Sequence, residues 1–280
     1  MSNISGILYI VATPIGNMND ISVRAREVLT SVDLIAAEDT RHSRIMLSKL
    51  GIKTKLISYH DHNERRQAAM LLNKIQAGLN VGLISDAGTP LINDPGYHLV
   101  SAAHEAGFQV VPIPGPSALI TALSASGLPT DRFIFEGYLP AKSTGRRKRL
   151  YDLLSETRTM IFYEAPHRIP EFIEDAIFVF GTDRMVTIAR ELTKIHETIH
   201  RGKLGNLQDW LNSEQACLKG EFVILLQGGS SRQENNDDIQ RILKILLATI
   251  SLKDAVDLTV KITGRKRNEI YKQAIEIKQG

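Results

Sequence analysis

The residues best placed to do chemistry sit where short apolar runs break off. The run Val81 to Ile84 ends in Ser85-Asp86 and opens into a loop punctuated by Gly88, Pro90, Pro95 and Gly96. A small residue at nearly every turn lets backbone N–H and C=O groups approach a ligand closely. Asp86, at the strand tip, can accept hydrogen bonds from an amine or a ribose hydroxyl. The same stretch would also serve as an ordinary strand–helix loop in which Gly and Pro only shape turns. Other tips carry Thr13-Pro14-Ile15-Gly16-Asn17, Glu38-Asp39-Thr40-Arg41-His42, His60-Asp61-His62-Asn63 and Pro114-Gly115-Pro116-Ser117. His60 and His62 point to one side of an extended segment, but no third and fourth ligand follow at a recognisable spacing, so no metal is expected. The helix start at Ser117 could bind an anion through its free N–H groups, although Pro114 and Pro116 explain the turn more simply. There is no G-x-x-x-x-G-K-[ST], no G-x-G-x-x-G after the first strand and no G-x-S-x-G elbow. That weighs against NTPase, dinucleotide and serine-hydrolase chemistry.

The elements that must position these tips alternate. Apolar, β-branched runs at Ile7 to Ala12, Leu34 to Ala37, Lys55 to Tyr59, Val81 to Ile84 and Gln109 to Ile113 read as buried strands. Amphipathic helices follow: one capped by Asp20 or Ser22 and running to Leu29, then Ser43 to Leu50, then one capped by Asn63 and running to Ala77. Tyr97 to Ala106 and a small-residue helix from Ser117 to Gly127 complete the set. Five strand–helix units imply a parallel sheet covered on both faces, with all five loops on one edge. A second block reads as an α/β unit with a mixed sheet. Its strands are Arg132 to Tyr138, Met160 to Glu164, Met185 to Arg190 and Glu221 to Leu226. A basic loop and a helix to Glu156 follow the first of these, with further helices at Glu171 to Phe180 and Leu207 to Leu211. After a polar linker, Gly228 to Asp238, three helical patterns (Ile239 to Thr249, Leu252 to Ile262, Asn268 to Ile277) form a helix-turn-helix-like appendage. Ser251 and Asp254 resemble a capping box. The appendage could present its last helix to nucleic acid, plug against the body or form a dimer contact. The expected domains are 1–129, 130–229 and 230–280.

At 280 residues the chain can bury more than one core. No signal peptide is expected, and no apolar run approaches the ~18 residues that would span a bilayer. A single cysteine, Cys217, excludes a disulfide framework and a cysteine-rich metal site. The expected setting is the cytoplasm. Net charge is only +3, but basic residues cluster at Lys142 to Arg149 (KSTGRRKR) and Arg265 to Arg267, and local patches matter more than the total for a nucleic-acid partner.

Long words then match in order: LYIVATPIGN from Leu8, AAEDTRHSR from Ala36, SYHDHNE from Ser58, ISDAGTPLINDPG from Ile84, PIPGPSALITALSASGLP from Pro112, YEAPHR from Tyr163 and RELTK from Arg190. Across residues 6–228 the chain resembles the ribosomal RNA small subunit methyltransferase I family, the RNA branch of the tetrapyrrole methylase fold. The resemblance implies two α/β domains of tetrapyrrole methylase type (class III methyltransferases) plus the helical appendage. It implies transfer of a methyl group from S-adenosylmethionine to a ribose 2′-hydroxyl of a cytidine in 16S rRNA near the decoding centre. The small ribosomal subunit would be the partner and the assembly a homodimer, with no membrane. Carried over by position, the cofactor would be lined by Thr13, Pro14, Gly16, Ser85, Asp86, Ala87, Gly88, Thr89, Pro90, Ser117, Ala118, Tyr163, Glu164 and Leu192. The first loop lacks the glycine-rich G-x-G-x-G of tetrapyrrole-type relatives, and the fourth reads Asp86-Ala87-Gly88-Thr89-Pro90 rather than G-D-P. Both departures point away from a tetrapyrrole acceptor.

Methyl transfer from an activated sulfonium needs positioning and help with the hydroxyl proton, and neither a metal nor a covalent nucleophile. Candidate bases or orienting groups are Glu38, Asp39, His60, Asp61 and Glu191; the alternative for each is a helix cap or a loop hydrogen bond. Arg41, Arg44, Arg168, Arg190 and Lys194 are candidates to hold RNA phosphates, with Arg146 to Arg149 widening that surface, unless ion pairs claim them. Two other readings stand beside this one: a methylase of a tetrapyrrole or other small molecule, and a nucleic-acid-binding regulator that reads with residues 239–280.

Overall fold

The computed structural model describes residues 5–61, 63–212, 218–229, 234–263 and 265–279. His62, Cys217 and Gly264, and part of the expected linker, lie outside the described residues. The first lobe runs β1 (Ile7–Val11), α1 (Val23–Ser31), β2 (Leu34–Ala37), α2 (Thr40–Lys49), β3 (Leu56–Ser58), α3 (Glu64–Gln76), β4 (Val81–Ile84), α4 (Tyr97–Glu105), β5 (Gln109–Ile113) and α5 (Ala118–Ala125). Its five strands pair in parallel in the order β3-β2-β4-β1-β5. Alternate side chains of each strand feed opposite faces. Leu8, Ala36 and Leu83 meet Leu71, Ile75, Leu99 and Ala103 of α3 and α4. Val11, Ile35 and Ile84 meet Leu29 and Leu47 of α1 and α2. From β1 the chain crosses outward to β2, and from β4 it crosses the other way to β5. The strand order therefore reverses between β1 and β4, and their carboxyl ends form the crevice where α/β sheets bind ligands.

The second lobe runs β6 (Phe133–Tyr138), α6 (Ser143–Asp152), β7 (Thr159–Glu164), α7 (Ile169–Phe180), β8 (Met185–Arg190), β9 (Thr198–Lys203), α8 (Leu204–Asn212) and β10 (Phe222–Leu226). Its sheet order is β6-β7-β10-β8-β9; β6 and β7 are parallel and the other pairs antiparallel. One face packs Phe162 and Ile224 against Phe172 and Ile173 of α7 and Leu207 of α8. The other face, with Ile161, Ala189, Val223 and Leu225, packs on Leu119, Ala122 and Leu123 of α5 and on Ile15. α5 thus fills the seam between the lobes. The C-terminal helices α9 (Glu234–Leu247), α10 (Leu252–Thr263) and α11 (Arg267–Gln279) have a core of their own, built on Ile239, Leu243, Val256, Ile270 and Ala274. Among the described residues no helix is long and apolar enough to cross a membrane.

Local chemistry explains where the expected elements shift. Ser22 caps α1, accepting from the Ala25 N–H at 3.0 Å. Asp39 caps α2, accepting from the Arg41 N–H at 2.7 Å, so this helix starts three residues before Ser43 and takes Arg41 and His42 into its first turn. Asn63 does not cap α3 with its side chain; its Oδ1 accepts instead from the His60 N–H at 2.9 Å. The basic segment expected as a loop is the body of α6. β9 has no counterpart among the expected elements. It is an edge strand whose alternate residues face solvent, and its sequence, TIHRGK, carries too little apolar alternation to announce it. The linker is shorter than expected because α9 already starts at Glu234. Ser251 caps α10 with the Asp254 carboxylate, at 3.2 Å to the Asp254 N–H and 2.6 Å between the side chains.

Candidate functional site

Beyond the ends of β1 and β4, Thr13 and Gly88 exchange two backbone hydrogen bonds of 2.9 and 3.1 Å. Gly88 lies at φ +83°, a conformation that a side chain would strain. This clasp closes the floor of a cleft of about 440 Å³ between the lobes. The first lobe supplies Ile15, Glu38, Asp86 to Thr89, Ile92 to Asp94, Ser117 and Ala118 to its walls. The second supplies Tyr138, Tyr163 to Pro166 and Gly220 to Val223. Four of the five strand-end loops therefore converge as the alternation requires; the third, at His60-Asp61, opens onto a neighbouring hollow.

Of the residues expected to hold a cofactor, Asp86, Ala87, Gly88, Thr89, Ser117, Ala118, Tyr163 and Glu164 line this cleft. Thr13, Pro14, Ser85 and Pro90 are buried behind it, with the Thr13 Oγ1 donating to the Ser85 carbonyl at 3.4 Å. Gly16 is exposed beside Lys194, and Leu192 is buried in the seam between the lobes. Among the candidate bases, Glu38 lines the cleft. Asp39 is committed to capping α2, while its N–H donates to the Asp86 carboxylate at 3.0 Å. His60 lies against the Asn63 amide, 3.3 Å away. Asp61 lines the neighbouring hollow. Glu191 is tied to Lys194 at 2.8 Å and accepts from the Glu221 N–H at 2.9 Å.

Charge is crowded in the cleft. Glu38 is pushed up to about 7, first by burial and then by Asp94 and Asp86. Asp94 is pushed up to about 6 by burial and by Asp86, against the opposing pull of a Ser85 hydrogen bond. Burial also raises Glu164, which is 2% exposed. Its Oε1 accepts from the Ala165 N–H at 2.8 Å, whereas its Oε2 has no hydrogen-bond partner. A buried carboxylate oxygen without a donor is a place for a ligand to complete.

Four polar side chains of the cleft, Asn93, Asp94, Tyr138 and Glu221, are not among the sequence-based candidates. Asn93 and Asp94 stand inside the long word after Ile84 but read as turn formers. Their loop is held by Glu64, whose Oε1 accepts from the Tyr59 hydroxyl at 2.9 Å and the Gly96 N–H at 3.0 Å. Leu91 (φ +72°) and Asn93 (φ +66°) adopt left-handed backbone here, a strain that functional loops concentrate. Tyr138 and Glu221 reach the cleft only through the pairing of the second sheet, which no local pattern announces.

The basic residues divide sharply. Arg168 is turned inward, 3.1 Å from Glu164 and donating to the Leu139 carbonyl at 2.6 Å. Arg190 is 9% exposed and donates to the Lys219 carbonyl. Lys194 bridges Glu191 and Glu221. Arg146 is 1% exposed and pairs with Asp175 at 2.6 Å and Glu171 at 3.2 Å; Arg147 shares Asp175, and Arg149 pairs with Glu136. Arg41 and Arg44 stand exposed on α2.

A family model described as Tetrapyrrole (Corrin/Porphyrin) Methylases matches residues 7–208, and one described as the RsmI C-terminal HTH domain matches residues 233–278. The chain is 53% identical over 275 residues to "Ribosomal RNA small subunit methyltransferase I" of Escherichia coli O157:H7, covering 98% of this chain and 96% of that protein. It is 50% identical to the protein of the same name from Pseudomonas aeruginosa, covering 97% and 98%. Among solved structures, diphthine synthase superposes with a TM-score of 0.60 at 15% identity, over 79% of this chain and 90% of that one. A cobalt precorrin-4 methyltransferase superposes with a TM-score of 0.59 at 17% identity, over 79% and 94%. These two likenesses speak to the fold alone, and they agree with the two sheets described above. The chain belongs to the tetrapyrrole methylase family and, within it, to the ribosomal RNA small subunit methyltransferase I group.

Proposed function

We propose that this chain transfers a methyl group from S-adenosylmethionine to the 2′-hydroxyl of a cytidine ribose in 16S rRNA, near the decoding centre of the small subunit. The observation that carries the reading is the composition of the cleft. Five carboxylates (Glu38, Asp86, Asp94, Glu164 and Glu221) line it, and no lysine or arginine does so among the described residues. Such a lining suits a ligand that brings positive charge, as a sulfonium bearing an amino acid group does. The size is that of a small-molecule pocket. Ile15, Ala118, Tyr163 and Val223 supply the apolar surface a purine needs, and the backbone of Ala87 to Thr89 supplies polar groups close to it. The unpartnered Glu164 oxygen is one point at which a donor group of the cofactor fits.

When bound, S-adenosylmethionine supplies a methyl group on a positively charged sulfur. The chain's own work is to orient the acceptor, exclude water and take one proton. Glu38 is placed to take that proton. Of the candidate bases it faces the cleft, and its affinity for a proton sits near neutral pH, where a general base is most effective. Asp39 and Asp86 position it through the α2 cap and the bond between them. Asp61 and Glu191 stand outside the cleft as orienting groups. Arg41 and Arg44 are placed to meet RNA phosphates from α2. The family resemblance supports a cytoplasmic homodimer, divided into units 1–129, 130–229 and 230–280.

A 2′-O-methyl group blocks alkaline cleavage of the adjoining phosphodiester. Small subunits lacking the modification, incubated with methyl-labelled S-adenosylmethionine and then hydrolysed in alkali, should yield label in a resistant dinucleotide beginning with cytidine. Label released as mononucleotide, or found only on a base, would overturn the assignment.

A further inference from the structure

Beside the cleft lies a second hollow, lined by Asp61, Asn63, Glu64, Arg65, Arg66 and His98. Its cations differ from those of the second lobe. Arg146, Arg147 and Arg149 are spent on ion pairs, whereas Arg65 and Arg66 are exposed on α3 and take part in no ion pair with the described residues. Tyr97 is 70% exposed, and the His98 ring stands edge-on to it with centroids 5.6 Å apart. An exposed aromatic ring beside available guanidinium groups is the pairing that single-stranded RNA uses, with bases on rings and phosphates on arginine. A hydrogen bond ties the hollow to the cleft. Glu64 lines the hollow and, through Gly96, fixes the loop whose Asn93 and Asp94 line the cleft. A strand of RNA that places a ribose at Glu38 must pass over one edge of the cleft, and on the side of Asp61, which acts on Glu38, that edge offers two exposed arginines and an exposed ring.

We propose that Arg65, Arg66, Tyr97 and His98 form a subsite for the nucleotide next to the acceptor, with the arginines on its phosphate and the Tyr97 ring under its base. The inference rests on the rRNA methyltransferase reading. Its test is steady-state methylation of unmodified small subunits, with the salt dependence of kcat/KM. Arg65→Ala/Arg66→Ala should raise KM for the subunit about tenfold and flatten the slope of log kcat/KM against log salt by about one to two, leaving kcat and cofactor affinity as in the wild type. Tyr97→Ala should raise KM about tenfold, and Tyr97→Phe, which keeps the ring, should not. Lys53→Ala, which removes an exposed charge ahead of β3, at the end of the strands away from the cleft, should leave all values unchanged. Wild-type KM and salt slope in the arginine and Tyr97→Ala variants would overturn the subsite, as would a loss confined to kcat. If the wild-type protein labels no RNA, it is the parent reading that fails, and this inference falls with it.

Discussion

Glu38 holds its proton longer than an ordinary glutamate because it is half-buried and faces Asp94 and Asp86. The consequence for catalysis is a kcat/KM that rises as pH passes through about 7 and then levels, as Glu38 becomes free to accept a proton. Glu38→Gln should abolish that limb and lower kcat by about a hundredfold or more at pH 8, measured by methyl incorporation. Stability should move the opposite way. Because the folded state raises this group from 4.5 to about 7, the folded chain binds the proton more tightly than the unfolded chain. The stability linked to it is therefore complete below about 4.5 and is lost as pH rises through 7. Urea titrations should find Glu38→Gln close to wild type at pH 5 and more stable at pH 8 by on the order of 1 kcal/mol, the figure being reduced for solvent screening of a half-exposed group. Glu38 is legible from its place at the end of an apolar run. Asp94, its strongest charged neighbour, is not, because in a stretch rich in Asn, Pro and Gly an aspartate reads as a turn former.

At the scale of elements, apolar runs reveal strands, the half-exposed β3, β5 and β6 included, and conceal β9, whose sequence is mostly polar. β2, β4, β8 and β10 are apolar because helices or a second layer cover them, and they lie where apolar runs and β-branching place them. β9 covers the sheet edge with alternately exposed residues, so its sequence is mostly polar. Charge is equally ambiguous in α6. KSTGRRKR looks like a solvated patch, yet Arg146 is buried against Asp175, with Ser143 and Arg147 on the same carboxylate. Burial and three donors oppose each other there, and the net effect holds Asp175 below its usual range, binding α6 to α7. Arg146→Ala leaves Asp175 under-neutralised inside the protein. It should cost roughly 3 kcal/mol in denaturant unfolding, while methylation per folded molecule stays near wild type, since no part of this network lines the cleft. A loss of activity at unchanged stability would show that α6 does more than hold the second lobe together.

Across the whole molecule, the two sheets depend on each other and the tail has a core of its own. α5 and Ile15 fill the seam against the second sheet, and the Asn17 N–H donates to the Thr193 hydroxyl at 3.1 Å across it. α9, α10 and α11 surround their own apolar centre. A chain ending at Gly229 should therefore keep the melting transition of the two lobes and bind S-adenosylmethionine as the full chain does; loss of cofactor affinity on truncation would place the tail in the site. Alternating strands and helices make the first sheet and its loop edge legible in the sequence. The second wall of the cleft is not, because Tyr138 and Glu221 arrive from strands far apart in sequence and meet only once β6, β7 and β10 have paired. The shared cleft is the proposed cofactor site, and the most direct test fills it. Ala118 begins α5 and faces the cavity between the sheets. Calorimetric titration of S-adenosylmethionine into Ala118→Trp, checked for a wild-type melting transition, should show binding lost or weakened at least a hundredfold. Unchanged affinity in a folded variant would mean that the cofactor binds elsewhere.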